Sequence, residues 1–196
     1  MEGIFTLPYS EYEVLNQLQK KLKKSEGYSF YIPTSRQQKG VDFIVNNNKS
    51  NKFCRFQVKS SRSYIDRPRK LKSGEVKEVK YRFNLWFNNF LERYEENNAD
   101  YYILFGLYPV YQKNKNIKSK SIFWKPLIMC FSEKEMFKLL EKVRTKREGK
   151  IDKFFGFGFN NKDEIFGTRG FKEDIDLSQF LLDNKLNELK NEFISF

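Results

Sequence analysis

A chain of 196 residues without a single histidine cannot build an imidazole general base, a Ser-His or Cys-His nucleophile pair, or a His-ligated metal centre. Its 37 Lys and Arg against 25 Asp and Glu leave a formal charge of +12. That surplus favours a polyanionic partner, because clustered cations release phosphate counterions, with a merely solvated basic surface as the plainer alternative.

The predicted elements follow in order. Met1 to Tyr9 is an apolar lead-in, and Ser10 with Glu13 makes an S-x-x-E capping box. Val14, Leu15, Leu18 and Leu22 then recur at helical spacing, with Gly27 as the stop. Tyr28 to Pro33 reads as a strand and Thr34 to Lys39 as a polar turn. Gly40 to Val45 and Lys52 to Lys59 read as two strands joined by the turn Asn46 to Asn51. On the second of these, Phe56 and Val58 alternate with Arg55, Gln57 and Lys59, so Gln57 and Lys59 share a face. A hairpin partner brings Asp42 toward the same end of that face.

Ser60 to Lys80 is the most basic stretch, and from Lys49 to Arg82 there are 12 basic and 3 acidic residues. Pro68 and Gly74 argue for a loop there, or a loosely paired hairpin. Tyr81 to Phe87 reads as a fourth strand and Asn88 to Asn97 as a short helix. Asp100 to Pro109 is an almost continuous apolar run, the mark of a strand covered on both faces, with Asp100 at its entry. After a Lys/Asn loop at Gln112 to Lys120, Ser121 to Phe131 holds a sixth strand interrupted by Pro126. Ser132 and Glu135 then open a second capping box before a helix with Met136, Leu139, Leu140 and Val143 on one side.

From Ile151 the balance turns to 6 basic and 9 acidic residues. Phe154 to Phe159 alternates Phe with Gly and reads as packing or a strand edge, with base stacking as the alternative. An amphipathic helix is expected from about Asp176, with Leu177, Phe180, Leu181, Leu182, Leu186, Leu189 and Phe193 on its apolar side. The expected organisation is an α/β core over 1–150 with a basic surface. An acidic extension over 151–196, ending in a helix, packs on the same domain. Cys54 and Cys130 lie in apolar strand-like runs and form no CxxC, which argues against a structural zinc site and fits a reduced, cytoplasmic setting. No apolar run approaches ~18 residues, and no leader pattern opens the chain, so neither a membrane span nor secretion is expected.

The element order α-β-β-β-α-β, with one extra strand before the second helix, Gly40-Val41-Asp42 on the second strand and Gln57-Val58-Lys59 on the third, resembles the PD-(D/E)XK nuclease superfamily. The resemblance covers roughly Tyr9 to Pro109 in topology but only a few residues in motif. Val41 stands where the name-giving motif has Pro. Gln57 stands where it has an acid, which removes one negative charge from any metal cage. The resemblance implies a restriction-endonuclease-like core, a central mixed sheet flanked by helices, with a C-terminal β/α extension. It also implies a Mg²⁺-dependent DNA endonuclease, Mn²⁺ substituting, of restriction, junction-resolving or repair type. Its partner would be double-stranded DNA, with a homodimer expected where both strands of a palindrome are cut.

The implied site is Asp42, Gln57 and Lys59 with a first-helix acid. Asp42 can supply a carboxylate, Gln57 its amide oxygen and Val58 its carbonyl to a cation that wants oxygen ligands. Lys59 would face the water and the scissile phosphate. Glu11 precedes Val14, Leu15, Leu18 and Leu22 on the apolar stripe and is the preferred helix acid, while Glu13 is already explained by the capping box. Arg36, Lys39, Arg62, Arg67, Arg69, Lys70 and Lys72 are expected to hold the phosphate backbone. Taken singly, Asp42 could end a hairpin and Lys59 could be an exposed strand lysine. The alternative function is a nucleic-acid-binding protein on a catalytically weak or inactive nuclease scaffold, and a third is an interaction module with no nucleic-acid role.

Overall fold

The computed structural model describes residues 9–33, 40–66, 68–70, 73–94, 99–113, 120–144 and 152–194. Helix α1 (Tyr9–Lys21) buries Val14, Leu15 and Leu18 along one stripe. It begins before Ser10, so the first capping box does not form. Glu13 instead accepts a hydrogen bond from Gln17, one turn on, at 2.7 Å. A 3-10 turn (Lys24–Glu26) and a left-handed Gly27 lead into β1 (Tyr28–Tyr31).

Strands β2 (Phe43–Asn47) and β3 (Lys52–Ile65) complete an antiparallel meander with β1, with Tyr31 opposite Ile44 and Phe43 opposite Phe56. Strand β3 runs through Ser60–Ile65, where a loop was expected. The rest of that basic stretch takes the paired form of its two alternatives, with β4 (Arg69–Lys70) against β5 (Val76–Lys77). Strand β6 (Phe83–Asn88) then pairs antiparallel with the end of β3.

Among the described residues 88–94 the helix expected over Asn88 to Asn97 does not form, and 95–97 lie outside the described residues. Asn88 is still strand, and Asn89 Oδ1 accepts the N–H of Leu91 at 3.0 Å to start only a 3-10 turn (Leu91–Arg93). Among its described residues, the link from β3 to its parallel neighbour β7 (Tyr101–Lys113) carries strands and a turn rather than the second helix of the α-β-β-β-α-β order. Strand β8 (Lys120–Ser132) pairs with β7 along its whole length. Pro126 does not interrupt it. Apart from a single bridge to Leu181, β8 has no other ladder partner among the described residues, so the missing N–H faces an open edge.

Helix α2 (Glu133–Arg144) starts on the predicted box, with the Ser132 N–H and hydroxyl both donating to Glu135 Oε2 at 2.8 and 2.9 Å. Strand β9 (Phe154–Phe159) pairs with β6, followed by β10 (Phe166–Gly167) and β11 (Ile175–Asp176). Helix α3 (Leu182–Glu192) begins six residues later than expected, because Ile175–Asp176 pairs with β10 and Ser178–Phe180 is a 3-10 turn.

The result is a mixed α/β fold with three α-helices among the described residues. Its organising feature is β3, which belongs to two sheets. Its first part joins β1, β2, β7 and β8, and its last three residues join β6 and, beyond it, β9, β10 and β11. One face of the first sheet, bearing Phe43, Val45, Phe56, Ile103 and Phe105, is covered by α1 and α3. The other, bearing Tyr102, Leu104, Met129 and Phe131, meets α2 and the inward aromatics of the second sheet, Phe83, Phe87, Phe155, Phe157 and Phe159. Both cores thus draw on the acidic C-terminal segment. No described helix is long and apolar enough to cross a membrane.

Candidate functional site

The antiparallel register stops at Phe43, but the chain before it stays attached to β3. The Asp42 N–H donates to the Phe56 carbonyl at 2.8 Å, and the N–H of Val58 donates to Asp42 Oδ2 at 2.6 Å. The Asp42 carboxylate therefore continues the ladder where β2 ends, lying alongside the middle residue of Gln57-Val58-Lys59. In a strand, the N–H and C=O of one residue point to the same side. The Val58 carbonyl consequently faces the edge that carries Asp42.

Gln57 and Lys59 share a face, as the alternation predicts. Phe56 and Val58 pack against the α1 side, so Gln57 and Lys59 project into the angle between the two sheets. Gln57 sits opposite Tyr102 and is only 6% exposed. Lys59 sits opposite Leu104, and its ammonium lies 5.3 Å from the centre of the Phe90 ring. Phe90 was not a sequence candidate. It lies in the stretch read as a helix, and nothing in the local pattern marks it as a neighbour of Lys59.

Glu11 comes from the opposite direction. Helix α1 covers the Phe43/Phe56 face, and Glu11 sits half-buried in its first turn, on the shoulder of the Val14–Leu18 stripe. The structure thus brings Asp42 and Val58 together directly and sets Gln57 and Lys59 on one face beside them, while Glu11 stays with α1 over the opposite face of the sheet. Of the expected backbone-binding residues, Arg36, Lys39, Arg67 and Lys72 lie outside the described residues. Arg62, Arg69 and Lys70 are described only as backbone, in β3 and β4.

The surrounding groups narrow the chemistry. Asp100 fills the structural role its place suggested: it accepts the Arg55 N–H at 2.8 Å and the guanidinium at 2.7 and 3.1 Å, fastening the start of β7 to β3. That hydrogen bond also holds the Arg55 guanidinium above its ordinary pKa. Burial pushes the Tyr102 hydroxyl up to about 12, so the phenol beside Gln57 keeps its proton near neutrality. Burial, helped by Asp100 and Glu192, raises the Cys54 thiol to about 12, and burial raises Cys130 as well. Both are free thiols with no thiolate character to offer.

The donors near the end of β2 are thus all oxygens: one carboxylate, one main-chain carbonyl and one amide. Among the described residues no three His, Cys, Asp or Glu side chains gather into a metal cage. An all-oxygen set low in formal charge fits a hard cation that keeps several of its own waters, and is a poor fit for zinc. No protein-family model, no curated protein and no solved structure matches the chain.

Proposed function

We propose that the chain is a Mg²⁺-dependent DNA endonuclease of the PD-(D/E)XK type, with a restriction-endonuclease-like core in which Gln57 stands in for the usual acid. One observation carries this reading: the 2.6 Å bond from the Val58 N–H to Asp42 Oδ2 fastens an acid beside a Q-x-K segment on the neighbouring strand. Asp42, the Val58 carbonyl and the Gln57 amide oxygen would hold Mg²⁺, or Mn²⁺ in its place; Glu11, the expected additional acid, would join them only by reaching past the sheet edge at Asp42. The bound ion supplies Lewis-acid polarisation of the phosphate and a more acidic water. Lys59 keeps its ammonium at the mouth of the angle between the sheets, where it neutralises charge on the scissile phosphate. The Phe90 ring lies 5.3 Å from that ammonium, a cation–π contact that fixes its position. The basic segment after β3 holds the duplex backbone, and a C2 dimer delivers one site to each strand of a palindrome.

Supercoiled-plasmid nicking in Mg²⁺, Mn²⁺ and EDTA tests the reading. Metal-dependent conversion to open circle is expected, and it should vanish in Lys59→Met, which keeps an unbranched apolar side chain beside Phe90 and loses the charge. Full activity in Lys59→Met would refute the assignment.

A second reading, nucleic-acid binding without cleavage, has its own support. A carboxylate that caps a strand end and a glutamine only 6% exposed are also what a purely structural corner would show. Salt-sensitive DNA binding with no cutting in either metal selects it.

A further inference from the structure

The outer face of the second sheet carries an arrangement that the cleavage site does not use. Tyr64 on β3 stacks on Trp86 of β6, ring centres 4.4 Å apart and planes 27° from parallel. The guanidinium of Arg169 lies 4.7 Å from the Trp86 ring and 4.8 Å from the Phe154 ring, so it bridges the two. The four side chains form one row across β3, β6 and β9. Two features fix the row in place. Ser61 Oγ donates to the Trp86 carbonyl at 2.6 Å and accepts the Trp86 N–H at 3.0 Å, which sets where β6 leaves β3. Gly156, opposite Trp86, has no side chain to lift the indole, and a Cβ there would fall 2.5 Å from Trp86 Cδ1 and 2.7 Å from the Leu85 carbonyl.

Covering a strand glycine with a cross-strand ring accounts for Trp86 alone. It does not account for Tyr64, which is 48% exposed at the end of the row, or for Phe154, 37% exposed at the other end. Large aromatics stacked in series and left open to solvent match the flat faces of nucleobases. The charge around them matches a phosphate chain. Tyr64 falls within the 49–82 segment, with its 12 basic and 3 acidic residues, while the Arg169 cation inside the row is paired with Asp152 at 3.8 Å and serves the stack rather than the phosphates.

We propose that the Tyr64–Trp86–Arg169–Phe154 row is a stacking platform for an unpaired base of a DNA strand, the base adding to the row at Tyr64. Tyr64 follows Lys59 by five residues on the same strand, an odd offset that sets the two on opposite faces, so the platform is a contact separate from the cleavage site. The choice of DNA rests on the proposed nuclease function. The stacking itself does not, and it is therefore measured in EDTA, where an absence of cutting has no bearing on it.

The test uses a Trp124→Phe background, which leaves Trp86 as the only tryptophan of the two in the chain. The probes are single-stranded oligothymidylate and an abasic phosphodiester strand of equal length and charge. Oligothymidylate is expected to quench Trp86 emission and to bind about tenfold tighter than the abasic strand. Tyr64→Phe should keep that preference and Tyr64→Ala should lose it, because the preference comes from the ring and not from charge. Equal binding of the two strands, Trp86 emission that does not respond, or a preference that survives Tyr64→Ala would each overturn the proposal. The quenching measurement needs no substitution at Tyr64, so the proposal stays exposed to refutation even if Tyr64→Ala fails to fold.

Discussion

Asp42 has two jobs that one substitution separates. Its carboxylate caps the Val58 N–H at 2.6 Å, a structural task that any well-placed acceptor oxygen performs. In the proposed site it also supplies the one carboxylate at the end of β2. Asp42→Asn keeps an acceptor oxygen for Val58 and removes the charge. Its thermal midpoint should stay within a few degrees of the parent, while metal-dependent nicking falls by more than the ~10–100-fold typical of an outer-shell partner of a metal ligand. An active Asp42→Asn protein would leave the strand cap as the whole explanation of this residue. Gln57 offers the complementary experiment. It is almost fully buried, so Gln57→Glu places a carboxylate in a poorly hydrated position, which is costly until a cation accompanies it. The variant should unfold at lower temperature than the parent in EDTA and gain more from added Mg²⁺ than the parent does. Calorimetry with and without the metal reads both, and a metal-independent loss would make Gln57 a packing residue.

At the level of elements, helices α2 and α3 are tied by a charge cluster that the sequence half disclosed. The Ser132/Glu135 box was readable from spacing. The buried Lys185 that Glu135 also accepts, at 2.5 Å, was not, because it comes from 50 residues away. Burial on its own raises the Glu135 pKa, but the Lys185 ammonium and the Ser132 N–H and hydroxyl outweigh it and hold the carboxyl below its ordinary 4.5. A depressed carboxylate pKa contributes stability above that ordinary value and loses it as pH falls through the folded one. The parent should therefore lose stability more steeply than Glu135→Gln as pH falls below the ordinary 4.5. Near neutrality Glu135→Gln itself should cost about 1–3 kcal/mol, since Lys185 keeps only Glu188 as a carboxylate partner. Acid titrations of the two proteins followed by far-UV circular dichroism test this, and curves of equal steepness would mark the cluster as unimportant. The same local-versus-distant division governs what was legible elsewhere. The meander of β1 to β3 and the face shared by Gln57 and Lys59 followed from two-residue alternation. The overrun of β3 through Ser-Ser-Arg-Ser-Tyr-Ile did not, because those residues become strand only when β6 and β7 arrive to pair with them. Ser10 and Glu13 had the right letters for a cap, but the helix had already begun at Tyr9.

For the molecule as a whole, the decisive contact is the one that lets two sheets share β3. Sheets stacked face to face ordinarily sit about 10 Å apart, with side chains from both filling the gap. Where β3 passes from one sheet to the other the gap closes, and Leu85 of β6 lies directly on the backbone of β7 at Gly106. A Cβ on Gly106 would fall 2.4 and 2.5 Å from the two Leu85 methyl carbons, and Leu85 is itself 1% exposed, so it must shift within the core. Gly106→Ala should therefore cost about 1–3 kcal/mol through overpacking. Leu85→Ala should cost about 2–5 kcal/mol through the cavity it leaves. If the two act at one contact, the double variant loses clearly less than the sum, because the alanine methyl enters space that leucine vacated. Denaturant unfolding of the four proteins measures this coupling, and strictly additive losses would mean that the sheets are held elsewhere. The same cycle bears on the site, since the angle opened by Gly106 and Leu85 is the one into which Gln57 and Lys59 project. Gly106→Ala should thus lower metal-dependent nicking beyond what its stability loss explains, and adding Leu85→Ala should restore part of it.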